Sequence, residues 1–402
     1  MARTREGGFN WLLFASMLAL VAIGTVAIWS AGNARSEEVF HGMWRNTMAT
    51  SVVGLVLYLV LAHFDYRRYL GILSVPLYVV SLAFLVMVLF LGSTVYGGRR
   101  WLWFFQPSEV AKLCVIALVA SIFGASGEAM AALRRSFGGF VLAALLVGVP
   151  SFLILAEPDL GTTLTLVPAV LAMLLAAGVW RRGLLTIVAL GTVAAFSLLG
   201  AVYEAEKPGV TPERREAILR YVPLKPHQLR RVRVFLFPEA DIKGEGYNLR
   251  QAKISIGSGG FSGKGIGKGE TNHLKYLPQA ISMNDFIFCV YAEETGFVGS
   301  VTLLALFGLL LLSCCHAAWS ARDGRGRLFA VGFSTLVFAH VYINIAMSIG
   351  LVPITGLPLP LISSGRTFLV TVMCGLGIVQ SISLHRGEHT CSICLAGLSA
   401  RR

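Results

Sequence analysis

Charged residues are scarce in this chain of 402 amino acids. Asp, Glu, Lys and Arg together make up 14% of the sequence, whereas 55% of the residues are hydrophobic and the mean hydropathy is +0.71. Soluble domains contain roughly 25% charged residues, so this composition excludes a soluble enzyme. Because a membrane-spanning helix needs about 20 apolar residues, the chain is long enough for about ten spans and one sizeable loop.

Negative charge is the scarcer kind. The 34 Lys and Arg outnumber the 21 Asp and Glu, which gives a formal net charge of +13. In a soluble protein this excess would indicate nucleic-acid binding, but in a membrane protein it indicates orientation and contact with anionic lipids. We therefore expect membrane lipids, and no nucleic acid, among the partners.

The seven cysteines provide no disulfide framework, and most of them lie inside apolar runs, where they serve as small core residues. Only the C-terminal tail, with His385, His389, Cys391 and Cys394, has a spacing that resembles half of a metal site. A tail has no rigid scaffold that would fix tetrahedral ligands. We interpret residues 385–402 as a reduced cytoplasmic tail and predict no metal-ligating residues.

A nucleotide-binding loop is also missing. Residues 246–269 are rich in glycine but fit neither G-x4-G-K-[S/T] nor G-x-G-x-x-G, which removes the main support for ATP-driven transport. What remains is a set of backbone N–H groups beside Lys253, Lys264 and Lys268, a chemistry suited to a phosphate-bearing ligand. A plain flexible loop explains the composition equally well.

Ten apolar runs predict an all-α fold, that of a polytopic integral membrane protein. They cover residues 9–31, 46–64, 70–92, 109–125, 137–156, 160–179, 183–203, 286–315, 328–349 and 367–384. With a cytoplasmic N-terminus, the inside segments hold 14 arginines and the short outside loops hold 5. Since cytoplasmic loops carry the excess of Lys and Arg, both termini are predicted to be cytoplasmic.

The connection 204–284, between the seventh and eighth runs, is predicted to be a large extracytoplasmic loop. It contains 14 Lys and Arg and 8 Asp and Glu. A loop of this length is usually either disordered or functional. Basic and apolar residues alternate over 212–222 and 227–237, which is typical of short helices on a membrane surface.

A few charged residues lie inside or beside the predicted spans, where charge is costly and often functional. Glu109 and Lys112 share a helix face, and they either lock two helices together or form the polar floor of a substrate pocket. Asp159 is placed to cap the helix that follows it. Asp285 could also cap a helix, but a carboxylate beneath a basic loop and beside apolar residues is equally what a general base needs.

Two further stretches lie next to these residues. Trp101 belongs to a run of two arginines and four aromatics, which forms either an interfacial belt or a platform for a sugar or lipid headgroup. Residues 353–365 are rich in Pro and Gly, end with Ser363-Ser364-Gly365, and lack helical potential. Irregular backbone this apolar is expected to pack against protein or to line a cavity.

Together these segments resemble the SEDS family (shape, elongation, division and sporulation) of bacterial glycosyltransferases, which polymerise lipid II into peptidoglycan glycan strands. The resemblance rests on six collinear motifs: RRWLWFFQPSEVAK (99–112), EPDLGTT (157–163), LRRVRVF (229–235), GYNLRQAKISIGSGGFSGKGIGKG (246–269), NDFIFCVYAEETGFVG (284–299) and PITGLPLPLISSG (353–365). The sequences of these motifs resemble the elongation branch, RodA, more closely than the division branch, FtsW.

The resemblance implies a catalytic role for Asp285 as the base that accepts a proton from the acceptor sugar. It implies a multi-pass protein of the bacterial plasma (inner) membrane, and lipid II as a substrate linked to undecaprenyl pyrophosphate. A class B penicillin-binding transpeptidase and the elongation machinery are the implied partners. A divalent cation, Mg²⁺ or Mn²⁺, is a possible cofactor. The candidate substrate-binding residues are Trp101, Glu109, Lys112, Asp159, Lys253, Lys264 and Ser364.

The chain departs from the family pattern in two places. Before Asp285 it has two extra residues and lacks the usual His and Thr, and Arg366 replaces a glycine. Either the site is remodelled or this member is divergent. Two other functions therefore stay open: a transporter that flips lipid II, and a scaffold with a degenerate site. The absence of an internal repeat disfavours the transporter.

Overall fold

Each of the ten apolar runs contains a helix in the computed structural model, which describes residues 7–33, 42–95, 98–102, 105–157, 159–207, 209–222, 224–241, 244–270, 278 and 282–386. The helices are α1 (Trp11–Asn33), α2 (Met43–His63), α3 (Tyr66–Leu91), α4 (Pro107–Phe123), α5 (Glu128–Arg135), α6 (Phe137–Ala156), α7 (Leu160–Ala177), α8 (Arg181–Glu206), α9 (Pro212–Leu219), α10 (Pro226–Leu236), α11 (Glu245–Ser258), α12 (Ile287–Ser320), α13 (Gly324–Ile349) and α14 (Arg366–Leu384).

Eight of these helices, within the described part of the chain, are long and apolar enough to cross a membrane. The fourth and sixth predicted spans correspond to shorter helices, α4 and α7. After α4 the chain bends by 116° into α5. The all-α, polytopic class is confirmed. Of the two short helices, α4 is covered by its neighbours, whereas α7 exposes Leu164, Val167 and Leu175 on one side.

Burial separates central helices from peripheral ones. Most side chains of α13 and α14 are buried, and α4 is buried on nearly every side. In contrast, α8 buries only Gly183, Leu184, Val202 and Ala205 and exposes a row of apolar side chains. Apolar surface of this kind is stable in contact with lipid, as expected of a multi-pass membrane protein.

A short hairpin precedes α4. Strands β1 (Ser93–Val95) and β2 (Gly98–Trp101) pair in antiparallel fashion. The sequence predicted either an interfacial aromatic belt or a platform for a sugar or lipid headgroup here, and the hairpin places Trp101 at its end, half-buried. Trp103 and Phe104 lie outside the described residues.

The large loop is folded. Both of its predicted amphipathic segments form helices, α9 and α10. Arg215 and Arg233 both pair with Glu206 at the end of α8, at 2.7 and 3.0 Å. A plain flexible loop over 246–269 is wrong for its first half, because 245–258 forms the helix α11.

A small core attaches this loop to the start of α12. Val234 of α10 and Leu249 of α11 pack with Phe286, Cys289 and Ile354. Phe286 follows Asp285 directly, so burial of this cluster fixes the backbone that carries the predicted catalytic residue.

Residues 353–365 form the irregular, buried connection between α13 and α14, as the sequence predicts. Leu357, Leu359, Leu361 and Ile362 are nearly inaccessible to solvent. Leu361 has a positive φ of 63°, which is uncommon outside glycine. The connection packs against protein on several sides and, as described below, lies against Asp285 and against the start of α7.

Candidate active site

Asp285 lies at the entrance of α12, held by its backbone. Its carbonyl accepts a hydrogen bond of 2.9 Å from the side-chain amide of Asn344 on α13. The Asn284 carbonyl accepts one of 2.6 Å from Ser363. The N-cap residue of α12 is Phe286 rather than Asp285, and no side chain of the described residues caps this helix start. A capping role for Asp285 is therefore wrong, and its carboxylate is available for other chemistry.

The Asp285 carboxylate faces Gly356 in the irregular connection. A β-carbon on Gly356 would lie 3.5 Å from Asp285 Oδ2 and 3.7 Å from Arg231 Nη2. The φ of Gly356 is +72°, which a residue with a side chain adopts at a cost. Glycine thus allows the backbone to pass close to both charged groups. Asp285 Oδ1 is buried and has no hydrogen-bond partner among the described residues.

Two guanidinium groups influence this carboxylate. Burial raises the pKa of Asp285 to about 6, while the positive charges of Arg231 and Arg100 lower it. Arg231 on α10 is anchored by a 3.0 Å hydrogen bond from Nη1 to the Thr355 carbonyl. Arg100 on β2 donates to the Glu157 carbonyl at 3.3 Å. A carboxylate with this pKa is mostly deprotonated at pH 7 and can accept a proton.

Asp159 caps α7, as predicted. Its Oδ1 accepts from the Thr162 amide at 3.2 Å, and its Oδ2 accepts from the Thr162 hydroxyl at 2.8 Å and from Gln106 at 3.3 Å. Two residues later, Gly161 lies against the irregular connection: a β-carbon there would be 3.1 Å from the Thr355 carbonyl oxygen and from Leu357. By capping α7, Asp159 fixes the helix start that packs against the irregular connection.

Glu157 lies between Arg100 and Asp159. Both of its carboxylate oxygens are buried without hydrogen-bond partners among the described residues. Burial and the negative charge of Asp159 raise the pKa of Glu157 to about 8, although Arg100 opposes the shift. At neutral pH this side chain is therefore largely protonated, and it can donate a hydrogen bond to a ligand.

Glu109 and Lys112 form an ion pair deep in the bundle. Lys112 Nζ lies 2.9 Å from Glu109 Oε2 and 2.9 Å from His340 Nε2. The ammonium also lies 5.3 Å from the centre of the Phe368 ring. Lys112 and Glu109 are 1% and 3% exposed. This arrangement joins α4 to α13 and α14, and it supports the helix-locking interpretation of the pair.

Lys264 and Lys253 lie in different surroundings. Lys264 pairs with Glu293 at 2.8 Å and with Glu270 at 3.4 Å, and the hydrogen bond to Glu293 raises its pKa. Its charge is thus already balanced inside the fold. Lys253 is exposed and lines a cavity of about 560 Å³ with Tyr247 and Arg250.

The glycine stretch after α11 packs on α12. Lys264 N and Gly265 N donate to the carbonyls of Glu293 and Glu294, at 3.0 and 2.9 Å. This contact falls beside Gly296, where α12 is broken (φ 68°, ψ −161°). Several of these N–H groups therefore bind protein carbonyls, which leaves fewer of them for a phosphate.

Ser364 and Arg366 lie where the irregular connection ends and α14 begins. The Ser364 amide donates to the Met283 carbonyl at 3.2 Å, which ties the irregular connection to the segment before Asp285. Arg366 is exposed and begins α14 with ordinary helical backbone, so this position needs no glycine. The two extra residues before Asp285 fall in a segment of which 271–277 and 279–281 lie outside the described residues. Residues 387–402 of the tail also lie outside them.

The irregular connection lies beside some of the predicted groups. Asp285 contacts it at Gly356, and the helix that Asp159 caps contacts it at Thr355 and Leu357. The Glu109–Lys112 pair joins α13, whose Asn344 donates to the Leu357 carbonyl at 2.7 Å. Lys253 lies on α11, and Lys264 lies in the loop after it and pairs with Glu293.

Sequence reasoning missed Arg231, Arg100, His340 and Asn344 as site residues. A signal for the last two was available, because they lie one helical turn apart in an otherwise apolar span and are fully buried. Arg231 carried no such signal, since 14 Lys and Arg share the loop and only its folding selects Arg231. Arg100 belongs to the run of arginines and aromatics before α4, which the sequence marked as a whole without selecting one residue.

No group of three or more His, Cys, Asp or Glu suited to a metal occurs within the described ranges. Mg²⁺ commonly uses one or two carboxylates together with substrate phosphates. The buried, unpartnered Oδ1 of Asp285 fits that kind of site. A cation held there would require phosphate oxygens of the substrate among its ligands.

Comparison with known proteins gives a consistent result. A sequence model of FtsW, RodA and SpoVE proteins, described as "Cell cycle protein", matches residues 10–388. The peptidoglycan glycosyltransferase MrdB of Escherichia coli K12 is 36% identical over 375 residues, 92% of each chain. The probable peptidoglycan glycosyltransferase FtsW of Trichlorobacter lovleyi is 32% identical over 94% of each chain. RodA of Treponema pallidum is 29% identical over 93% of this chain and 97% of its own.

Solved structures agree with these relatives. One is a chain from a peptidoglycan synthase complex, in work on the structural coordination of polymerization and crosslinking. It superposes with a TM-score of 0.74 at 29% identity, and the match covers 95% of this chain and 99% of the other. The rod shape determining protein RodA of Thermus thermophilus gives a TM-score of 0.65 at 27% identity, covering 95% and 98%. This chain belongs to the FtsW/RodA/SpoVE family, the SEDS family that its motifs resemble.

Proposed function

We propose that this chain is a peptidoglycan glycosyltransferase that polymerises lipid II, the disaccharide-pentapeptide linked to undecaprenyl pyrophosphate, with Asp285 as the general base. The observation that carries the proposal is the Asp285 carboxylate, which has a pKa of about 6 and two arginines nearby. The relatives named peptidoglycan glycosyltransferase support the activity.

In the proposed mechanism, Asp285 accepts the proton of the 4-hydroxyl group of the acceptor sugar while that oxygen attacks the anomeric carbon of the donor. The bond between the anomeric carbon and the phosphate oxygen breaks, and the polyprenyl pyrophosphate leaves with the electron pair. Direct displacement converts an α-linked donor into a β-linkage. Arg231 and Arg100 stabilise the negative charge that develops on the leaving group, which is usually a large contribution to such catalysis.

A divalent cation is compatible with this mechanism. Mg²⁺ or Mn²⁺ would supply further stabilisation of negative charge on the pyrophosphate. Asp285 Oδ1 is the protein atom that would hold it. Arg231 is fixed to Thr355 by a 3.0 Å hydrogen bond and so keeps its position with or without the ion.

The activity is tested with purified protein and labelled lipid II. We expect Asp285→Asn to reduce glycan synthesis by at least 100-fold, since general acid–base catalysis contributes about 10²–10⁴-fold. Glu213→Gln is the matched control, because Glu213 is an exposed carboxylate of the same loop. If Asp285→Asn polymerises as fast as the wild type, the base assignment is wrong.

The same preparation tests the alternatives. Reconstituted in liposomes, the chain should synthesise glycan from lipid II. Translocation of lipid II without glycan synthesis would instead support a transporter. Failure of the wild-type chain and its partner to exceed background would support a scaffold with a degenerate site.

We infer that the chain acts in cell elongation and rod-shape maintenance, with a class B penicillin-binding transpeptidase and the elongation machinery as partners. The related synthase complex supports a partner of this kind, and the related rod shape determining protein supports the elongation role. Rescue of rod shape in cells depleted of RodA, together with no rescue of division in cells depleted of FtsW, would support it. The opposite pattern would assign the chain to division.

We further propose that Asp285 faces the outside of the cell and that both termini are cytoplasmic. The excess of arginines in the short connections on one side supports this orientation. Single cysteines at exposed Glu213 and Arg322, placed in a cysteine-free background, should react differently with an impermeant thiol reagent on intact cells. Only the cysteine at 213 should be labelled.

A further inference from the structure

A second cavity lies at the opposite end of the bundle from Asp285. It has a volume of about 550 Å³ and is lined by Arg134, Arg135, Trp180, Arg181 and Arg182, together with the end of α7. Helix α4 connects the two ends: Gln106, just before it, is bonded to Asp159, and Phe123, its last residue, is bonded to Arg134. At 1.5 Å per residue, α4 separates them by about 26 Å.

The walls of this cavity are fixed by hydrogen bonds. Arg134 Nη1 donates to the carbonyls of Phe123 and Ala125, both at 2.9 Å. The Trp180 amide donates to the Arg134 carbonyl at 3.1 Å. Gly178 ends α7 in the left-handed conformation (φ 73°) and so turns the chain toward Trp180. The arginines are therefore attached to a rigid frame.

This cavity collects positive charge from four arginines. No ion pair in the described part of the chain involves any of its four arginines. Arg181 and Arg182 also occupy the first turn of α8, which has no acidic residue and no side-chain cap. A helix start carries partial positive charge, so these arginines are repelled unless an anion joins them.

Apolar surface adjoins the charged cavity. The Trp180 ring packs edge-on against Phe137 and Phe140, with ring centres 5.6 and 5.4 Å apart. Phe137 and Leu185 are each 64% exposed and lie on the lipid-facing helices α6 and α8. Trp is typical of the headgroup level of a membrane. A molecule bound here would meet cations at one end and hydrocarbon-facing surface at the other.

We propose that this cavity binds the phosphate headgroup of an anionic membrane lipid. Arg135, Arg181 and Arg182 contact the phosphate oxygens, and the acyl chains lie against Phe137 and Leu185. Arginine forms paired hydrogen bonds to phosphate, which suits a specific site better than diffuse surface charge does. The site is separate from Asp285, and its occupancy is measured by binding rather than by catalysis.

The test is native mass spectrometry of the purified full-length chain titrated with dioleoylphosphatidylglycerol or dioleoylphosphatidylcholine. The wild type should bind the anionic lipid more tightly. Loss of one direct hydrogen bond to the phosphate costs about fivefold in affinity, so the double variant R181Q/R182Q should bind phosphatidylglycerol about 25-fold more weakly. Its affinity for phosphatidylcholine should not change.

The matched control is R322Q/R327Q, which removes the same charge from two exposed arginines at the same end of the bundle, outside the cavity. It should weaken phosphatidylglycerol binding less than twofold. An equal loss in both double variants would show diffuse charge and overturn the proposal. So would equal wild-type affinities for the two lipids.

Two further measurements complete the test. R135Q lies on α5 rather than α8 and removes one direct contact, so it should weaken binding about fivefold. This variant tests the proposal even if R181Q/R182Q fails to fold. Inorganic phosphate should displace the lipid only at concentrations far above that of the lipid. Displacement at equal concentration would identify free phosphate as the ligand and contradict a lipid site.

Discussion

Asn344 holds the chain on both sides of the Asp285 carboxylate. Its amide nitrogen donates to the Asp285 carbonyl at 2.9 Å and to the Leu357 carbonyl at 2.7 Å. Gly356, which directly precedes Leu357, faces the Asp285 carboxylate. A single side chain on α13 thus fixes the distance between the proposed base and the backbone that faces it.

Replacing Asn344 by Ala should therefore lower the turnover number of lipid II polymerisation by roughly 10–100-fold, because small displacements of a catalytic group are costly. The base itself remains, so the acid limb of the pH profile should keep its position. Ser348→Ala, one turn along α13, removes only a hydroxyl bonded to the Asn344 carbonyl and serves as control. Normal turnover in Asn344→Ala would contradict the positioning role.

The pH dependence should report the charges around Asp285. A general base must be deprotonated, so the rate should rise with pH, with a midpoint near the Asp285 pKa of about 6, and then level off. Arg231 lowers that pKa. In Arg231→Gln the pKa should rise and the midpoint should move to higher pH by about one unit.

Arg230→Gln is the control for this experiment. Arg230 is the sequence neighbour of Arg231, is 57% exposed and pairs with Glu245 at 3.0 Å. Its loss should leave the midpoint in place. A midpoint that is the same in the wild type and in Arg231→Gln would argue against Asp285 as the titrating base.

Close packing of α7 against the irregular connection should be needed for activity. In Gly161→Val the added side chain meets the Thr355 carbonyl, which also anchors Arg231. We expect a loss of polymerisation of at least tenfold and a lower melting temperature. Gly191→Val is the control, because a β-carbon there meets nothing within 4 Å on lipid-facing α8. Equal effects of the two substitutions would show that helix propensity alone is responsible.

The apolar helices and the helix cap at Asp159 were predictable from sequence because they depend on local pattern. Long apolar runs predict spans, and an Asp directly before one of them predicts the cap that Asp159 forms. The pairing of Lys264 with Glu293 was not predictable, since it requires the glycine stretch to fold back onto α12. The approach of Arg231 to Asp285 likewise depends on how the whole loop packs. Local sequence carries no information about such distant contacts.

The buried ion pair should show strong energetic coupling. Lys112→Met leaves the Glu109 carboxylate buried beside no cation and also removes the contact with His340. Removing one partner of a buried pair costs about 3–5 kcal/mol in unfolding free energy. The double variant E109Q/K112M should recover part of this loss, because neither charge is then left alone. Unfolding in micelles, measured for both single variants and the double variant, gives the coupling energy.

Glu204 and Lys207 form the matched control pair. They have the same i, i+3 spacing, but their side chains are 55% and 51% exposed and 3.7 Å apart. Solvent screens such pairs, so their coupling energy should be below about 0.5 kcal/mol. If the Glu109–Lys112 cycle gives a coupling no larger than this, the two charges do not stabilise each other and must instead be compensated separately by their other neighbours, such as His340 beside Lys112.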